Sequence, residues 1–327
     1  MLSRVADSVY WMSRYVERAE NMARYAAANI TLALDAPVTG DTIWDALIKT
    51  TGDHEEFIAT YGAVTRDNVV RFLTLDEKNP NSVISCLSAA RENARSVREI
   101  IASEMWEQIN TFYLMVRDVA ATPGSLERAQ EFCEAVKQSA HLFNGITDGT
   151  LTRNEAWHFI RLGRMLERAD KTSRLLDVKY YILLRSVADV GTPIDEIQWA
   201  ALLRSASGFE MYRKRHGRIA PAHIVHFLML DNEFPRAVRF CLNTGRESLH
   251  AITGTPLGSF SNVPERLLGQ LCSELAYTQV DEIINRGLHE YVDDLQTRLN
   301  RLGQGIFETF FALRTPGGAN HVNKKFD

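Results

Sequence analysis

The chain is written twice. Residues 44–92 and 199–247 align without a gap at one constant offset. Trp44-Asp45-Ala46-Leu47-Ile48-Lys49 returns as Trp199-Ala200-Ala201-Leu202-Leu203-Arg204, and Phe72-Leu73-Thr74-Leu75-Asp76 as Phe227-Leu228-Met229-Leu230-Asp231. Pro80, Val83, Cys86, Leu87, Arg91 and Glu92 return as Pro235, Val238, Cys241, Leu242, Arg246 and Glu247. A second matched pair, at a slightly shorter offset, carries the charge: Arg14-Tyr15-Val16-Glu17-Arg18-Ala19-Glu20 with Arg24 against Arg164-Met165-Leu166-Glu167-Arg168-Ala169-Asp170 with Arg174. Repeated units stack and share a core that one unit cannot close alone. The expected fold is therefore all-α, a helical bundle of two repeats related by pseudo-two-fold symmetry. Residues 1–150 form the first repeat, 151–314 the second and 315–327 a polar tail, both repeats making one domain.

The all-helical expectation rests on periodicity, since runs of strand alternation are absent. Val5, Val9, Met12, Val16, Ala19, Ala23, Ala26 and Ile30 recur at three- and four-residue spacing and predict a core-facing helix over 3–35. Asp35-Ala36-Pro37 and Gly40 end it. The same reading predicts helices over 42–50, 54–62, 66–75, 81–102, 104–120 and 125–144. In the second copy it predicts 153–189, 195–206, 208–216, 221–230, 235–252, one opened by Pro264, and 288–313. Short breaks between them imply antiparallel neighbours in a bundle.

A polar stripe runs beside the apolar one on the first helix: Tyr10, Arg14, Glu17, Asn21 and Arg24, at spacings that place all five on one face. Ile160, Arg164, Glu167, Lys171 and Arg174 form the matching stripe. Trp11, Tyr15 and Met22 flank the first stripe on one side and Val9, Met12 and Val16 on the other, so the seam is expected to be partly buried, its charges paired. Two readings stay open. One is a structural Arg–Glu network locking the two equivalent helices together near a pseudo-two-fold axis, helped by the helical pairs Glu20–Arg24 and Asp170–Arg174. The other is an anion pocket, because arginine suits bidentate carboxylate or phosphate binding. The candidate seam comprises Arg14, Glu17, Arg18, Arg24, Arg91, Arg95, Arg164, Glu167, Arg168, Arg174 and Arg246. Arg98, Arg236 and Arg239 sit on helices expected to pack nearby. Arg91 and Arg246, each five residues after a matched cysteine, are expected to border the core within reach of the seam.

Bulk properties narrow the function classes. The 327 residues are 45% apolar and 24% charged, with a net charge of −4, so no basic field favours nucleic acid. Acidic and basic side chains are interleaved, with no polybasic anchor. Cys86, Cys133, Cys241 and Cys272 form no C-x-x-C pair and read as buried small hydrophobes in a reducing compartment. The first residues lack a signal-peptide core and no stretch reaches membrane-span length, so a cytoplasmic location is expected, with neither membrane nor nucleic acid as partner. No phosphate-binding glycine loop and no nucleophile elbow occurs, so no cofactor is expected. His223 and His226, one helical turn apart with Asp231 nearby, have metal-ligand spacing. Their counterparts Asn68 and Arg71 show that the fold does not need them, and no metal is expected. Gly254, Gly258 and the hydroxyls around them read as a surface loop, with an anion-binding backbone nest as the sharper alternative.

Met1-Leu2-Ser3-Arg4, Tyr10-Trp11-Met12-Ser13-Arg14-Tyr15-Val16-Glu17-Arg18-Ala19-Glu20-Asn21, Arg91-Glu92-Asn93-Ala94-Arg95-Ser96-Val97-Arg98, Glu104-Met105-Trp106-Glu107-Gln108-Ile109-Asn110 and Leu166-Glu167-Arg168-Ala169-Asp170 resemble the alpha-E family, a bacterial helical domain with a repeated Glu-Arg motif. The likeness runs from residue 1 to about 313. It implies an accessory of circularly permuted ATP-grasp ligases and transglutaminase-like proteases, encoded beside or fused to them, in making or modifying a peptide. It transfers no catalytic residues. Three functions follow as expectations: a scaffolding partner of an ATP-grasp-type peptide ligase; an enzyme acting through the Arg/Glu seam, with Glu17 or Glu167 as general acid or base; or a small-anion or peptide-binding module. A homo-oligomer is left open. Lys171 replaces Asn21 and His250 replaces Arg95 between the copies, so a strictly symmetric site is not expected.

Overall fold

The apolar spacing of the first stripe produces α1 (Ser3–Asp35), with Val9, Met12, Ala19, Ala23 and Ala26 fully buried along it. The structure, a computed structural model, describes residues 1–35, 40–183 and 192–312. After α1 come α2 (Gly40–Thr51), α3 (His54–Tyr61), α4 (Arg66–Thr74), α5 (Val83–Ser96), α6 (Ser103–Ala121) and α7 (Ala129–Thr150). The second half follows with α8 (Glu155–Leu183), α9 (Pro193–Ser205), α10 (Phe209–His216), α11 (Pro221–Met229), α12 (Val238–Thr253), α13 (Val263–Tyr277), α14 (Val280–Arg286) and α15 (Leu288–Ile306). No strand occurs among the described residues, and none of their helices is long and apolar enough to cross a membrane.

Local chemistry sets many of the boundaries. Thr65, Ser82, Thr192 and Asn262 cap α4, α5, α9 and α13, each side chain accepting from a backbone N–H three residues on. Gly62 and Gly217, matched across the two copies, close α3 and α10 at φ 70° and 72°, where a Cβ would be strained.

Four expected boundaries are corrected. The helix expected over 81–102 ends at Ser96, where the Ser96 hydroxyl turns back onto the Asn93 carbonyl and Val97 leaves helical geometry to bury its side chain. The helix expected over 125–144 starts as a 3₁₀ turn at Ser125–Arg128 and runs on as α7 through Gly145 to Thr150. An interior glycine costs only about 1 kcal/mol, and Phe143 and Thr147 keep the buried face continuous past it. The expected 153–189 helix begins at Glu155, and beyond Leu183 it leaves the described residues. The last helix stops at Ile306 and finishes as a π-turn, Phe307–Phe311, which seats Phe311 against Tyr10 and Phe159. The tail expected at 315–327 lies outside the described residues.

Two long helices organise the rest. α1 and α8 pack directly on each other; α5 lies along α1, and α12 along α8. The shorter helices cross over: α2 of the first half packs on α8, while α9 of the second packs on α1. One buried apolar cluster accordingly extends from Val5 to Phe311, drawing on both halves.

Candidate functional site

α1 and α8 pack tightly at Gly163. A Cβ there would stand 2.5 Å from the Tyr10 carbonyl oxygen and 2.8 Å from Ser13 Oγ. Ser13 holds the crossing by donating to the Ile160 carbonyl at 2.8 Å. Ser13 and Gly163 occupy matched positions in the two copies, and one helical turn beyond them each helix carries its glutamate.

The glutamates reach across the crossing. Glu167, 0% exposed, accepts from Arg14 Nε at 2.8 Å and from Arg18 Nε at 2.7 Å, with Lys171 Nζ at 3.7 Å. Glu17, 1% exposed, accepts from Arg168 through both Nε (2.9 Å) and Nη2 (2.7 Å), and from Arg236 at 3.1 Å and Asn21 at 3.1 Å. Burial alone would raise both carboxyls. For Glu17 the charges of Arg168 and Arg236 override it, for Glu167 those of Arg18, Arg14 and Lys171, and both acids are held well below the usual carboxylate range.

The two ends of the seam differ in a compensating way. Asn21 of α1 corresponds to Lys171 of α8, and Asn81 before α5 to Arg236 before α12. Where the long helix supplies a neutral Asn21, Arg236 supplies the cation, bonding Glu17 and also Glu20 at 2.5 Å. Where the long helix supplies Lys171, the matched position is the short Asn81, which accepts from Arg18 at 2.8 Å. Each glutamate is thus met by several donors, built from different residues.

The remaining candidates fall into place around this centre. Arg24 holds Glu20 and also reaches Ser207. Arg174 is held on Asp170 through Nε, at 3.0 Å. Burial would raise the Asp170 carboxyl, but Arg174 and Lys171 bring it down to about 2. Arg164 turns away from Glu17 toward α7, bonding Asn144 at 3.1 Å beside Asp148. The structure does not bring Arg91, Arg95 or Arg246 to the glutamates. Arg91 bonds Asn110 at 2.7 Å and lies over the rings of Trp106 and Tyr113. Arg95 is exposed and pairs with Glu92, and Arg246, half-buried on α12, has a buried Nε without a hydrogen-bond partner. The five-residue step from the cysteine carries these arginines to the border of α5 and α12 away from the crossing.

Sequence reasoning placed Lys171 on the stripe, Glu20 in a helical pair with Arg24 and Arg236 on a neighbouring helix, but it missed the direct reach of Arg236 to Glu17 and Glu20 and missed Asn81 altogether. The matched substitutions Asn21/Lys171 and Asn81/Arg236 were the available signal, because each swaps a neutral side chain for a cation in the opposite sense.

Beside the crossing, on the Glu167 side, a cleft of about 170 Å³ opens to solvent. Arg14, Arg18, Lys171 and Arg174 line it, with Asp53, Asp170 and Asn81. Trp11, Leu166, Leu299 and Gly303 form its apolar wall. Asp53, at the start of α3, has one buried oxygen without a hydrogen-bond partner, and burial raises its carboxyl against the opposing charge of Lys171.

Other sequence candidates have structural occupations. All four cysteines are free and buried, and burial pushes the Cys86, Cys133 and Cys241 thiols up to about 12 and Cys272 to about 11. His223 packs against the His216 ring at 5.0 Å, and no cluster of three metal-ligating side chains occurs among the described residues. The loop around Gly254 already holds an anion of its own: Glu265 accepts from Thr253 Oγ1 and from the Ser261 N–H, both at 2.5 Å.

Comparison with known proteins adds family and context. A family model named Alpha-E, described as a predicted alpha-helical domain with a conserved ER motif, matches residues 1–311. The Glu17-Arg18 and Glu167-Arg168 dipeptides at the helix crossing are two occurrences of such a motif. Uncharacterized proteins of Mycobacterium bovis and Mycobacterium tuberculosis are 23% identical over 343 residues, a match covering 96% of this chain. The chain spans 37% of the length of these relatives. No solved structure matches it.

Proposed function

The chain belongs to the Alpha-E family, and from that premise we propose that it is a scaffolding partner of an ATP-grasp-type peptide ligase, acting in the cytoplasm in the synthesis or modification of a peptide. A transglutaminase-like protease is the further partner on this reading. The observation that carries the non-catalytic part is the saturation of Glu17 and Glu167. A general base must be free to take a proton near its working pH. These two carboxylates are buried, held by arginines from the opposite long helix and pushed away from neutral pKa values. Such a network rigidifies a surface instead of turning over a substrate. The relatives support a modular role, since more than half of their length lies outside the matched region.

The same reading holds that the chain is one domain of two repeats, residues 1–150 and 151–314, about a pseudo-two-fold axis at the helix crossing. The meeting of matched residues Ser13 and Gly163, the reciprocal Arg18–Glu167 and Arg168–Glu17 pairs, and the crossed packing of α2 and α9 support it.

Co-purification with an ATP-grasp-type ligase from the same genome tests the proposal. A stable complex is expected, with ligation by the partner faster in its presence and no ATP hydrolysis by the isolated chain. Partner-free turnover that survives repurification and is lost in Arg14→Ala would establish the enzyme reading instead.

A further inference from the structure

The cleft beside Glu167 differs from its counterpart at the other end of the seam in one respect that matters for ligands. Arg236 fills the space beside Glu17 and Glu20 with its own guanidinium. At the matched position the cleft has Asn81, several bonds shorter, and the space beyond it is open to solvent. Four cations line that space, Arg14, Arg18, Lys171 and Arg174. Glu167 beneath them and Asp170 and Asp53 on the wall supply three carboxylates. Each cation already touches Glu167 or Asp170, yet four cations against three carboxylates leave the lining net positive in a partly buried setting, where screening is weak.

The guanidinium best placed to receive an anion is Arg174. Among the described residues it is fixed on Asp170 through Nε, and its Nη1 lies 4.0 Å from where a Cβ on Gly52 would be. The bare Gly52, held at φ 84°, keeps that edge clear. A guanidinium whose Nε is engaged and whose terminal nitrogens face open space offers the parallel N–H pair that matches a carboxylate. Opposite it, Trp11, Leu166 and Leu299 offer apolar surface to a short hydrocarbon stem. The volume is below the roughly 300–1,000 Å³ of pockets for drug-sized ligands, so the occupant is small.

We propose that this cleft binds a small organic carboxylate, its head on Arg174 and Lys171 and its stem against Trp11 and Leu299. The site is independent of any partner enzyme, so its test uses the isolated 327-residue chain.

Titration calorimetry with butyrate, inorganic phosphate and butylammonium at low salt reads the site directly. Butyrate is expected to bind saturably and butylammonium not at all. Arg174→Gln and, separately, Asn300→Glu at the exposed rim are expected to weaken butyrate about tenfold or more, by removing the fork or adding a repelling charge. Glu92→Gln, at a distant exposed pair, is expected to leave it unchanged. Because Asn300 is exposed, its variant keeps the fold even if Arg174→Gln does not. No saturable binding of butyrate, binding indifferent to Asn300→Glu, or binding of phosphate alone would overturn the assignment.

Discussion

Replacing Glu167 by Gln removes one negative charge from the centre of the crossing and leaves the side-chain shape. Glu167 is 0% exposed, while the side chains of Arg14, Arg18 and Lys171 around it are 13%, 15% and 10% exposed. Breaking a buried ion pair by removing one partner costs about 3–5 kcal/mol. The cations here retain some solvent and Gln keeps one acceptor oxygen, so the lower end applies, about 3 kcal/mol. That is a large fraction of the roughly 5–15 kcal/mol that holds a typical protein folded. Equilibrium urea denaturation at pH 7 reads it as a lower midpoint at unchanged slope. Glu92→Gln, which breaks the exposed Glu92–Arg95 pair, is the internal comparison, expected at about 0–1 kcal/mol. The pH dependence has a definite sign. Folded Glu167 titrates below its unfolded value, so its contribution is complete above the unfolded pKa of about 4.3 and is lost as pH falls toward the folded value. The gap between wild type and Glu167→Gln should therefore narrow below about pH 4. Exchanging Glu167, Arg14 and Arg18 together for apolar residues should recover much of the loss, because no charge is then stranded. A Glu167→Gln cost below about 1 kcal/mol, equal to that of Glu92→Gln, would refute the claim that the seam is a desolvated network.

Three further outcomes are expected. Gly163→Ala forces a Cβ into the Tyr10 carbonyl and Ser13 Oγ; it should destabilise by about 1–3 kcal/mol in the same denaturation assay, despite the better helix propensity of alanine. Asp53→Asn should stabilise the protein at pH 7 by under about 1 kcal/mol. The raised carboxyl of Asp53 makes its ionised form a cost at neutral pH that disappears as pH falls through the folded pKa to the unfolded one, so melts at pH 3 should show no difference. All four thiols are buried with raised pKa values, so a colourless disulfide reagent should label them only on unfolding, and fast native labelling of any one would contradict the packing.

The helices were legible wherever a long apolar stripe met a strong terminator. α1 runs over the expected 3–35 because an unbroken apolar spacing from Val5 to Ile30 is followed by the terminator Asp35-Ala36-Pro37. Boundaries failed where the deciding force was tertiary. α7 passes Gly145 because Phe143 and Thr147 are both buried, and α5 stops at Ser96 to bury Val97, neither of which a propensity scale sees. At the site, the matched Glu-Arg motifs and their apolar flanks pointed to a buried seam across two helices, where the structure places Glu17 and Glu167. Which arginines reach it depends on helix rotation and side-chain length. A register argument put Arg91 and Arg246 there, yet Arg91 turns to Trp106, Tyr113 and Asn110, while Arg236, at the mouth of α12, reaches in. The cleft was not legible at all, because it is made by the absence of a long side chain at Asn81.

The pairing of Glu17 with Arg168 sets a timetable for biosynthesis. The two residues stand 151 positions apart. At roughly 5–20 residues per second, Arg168 leaves the ribosome about 8–30 s after Glu17, and Arg236 later still. Throughout that interval Glu17 lacks the Arg168 and Arg236 guanidinium groups that neutralise it, so the charged face of α1 must stay hydrated and its apolar face unsealed. Closure of the crossing must wait for α8, and a ribosome stalled between the two long helices would expose Trp11 and Tyr10 to whatever binds first.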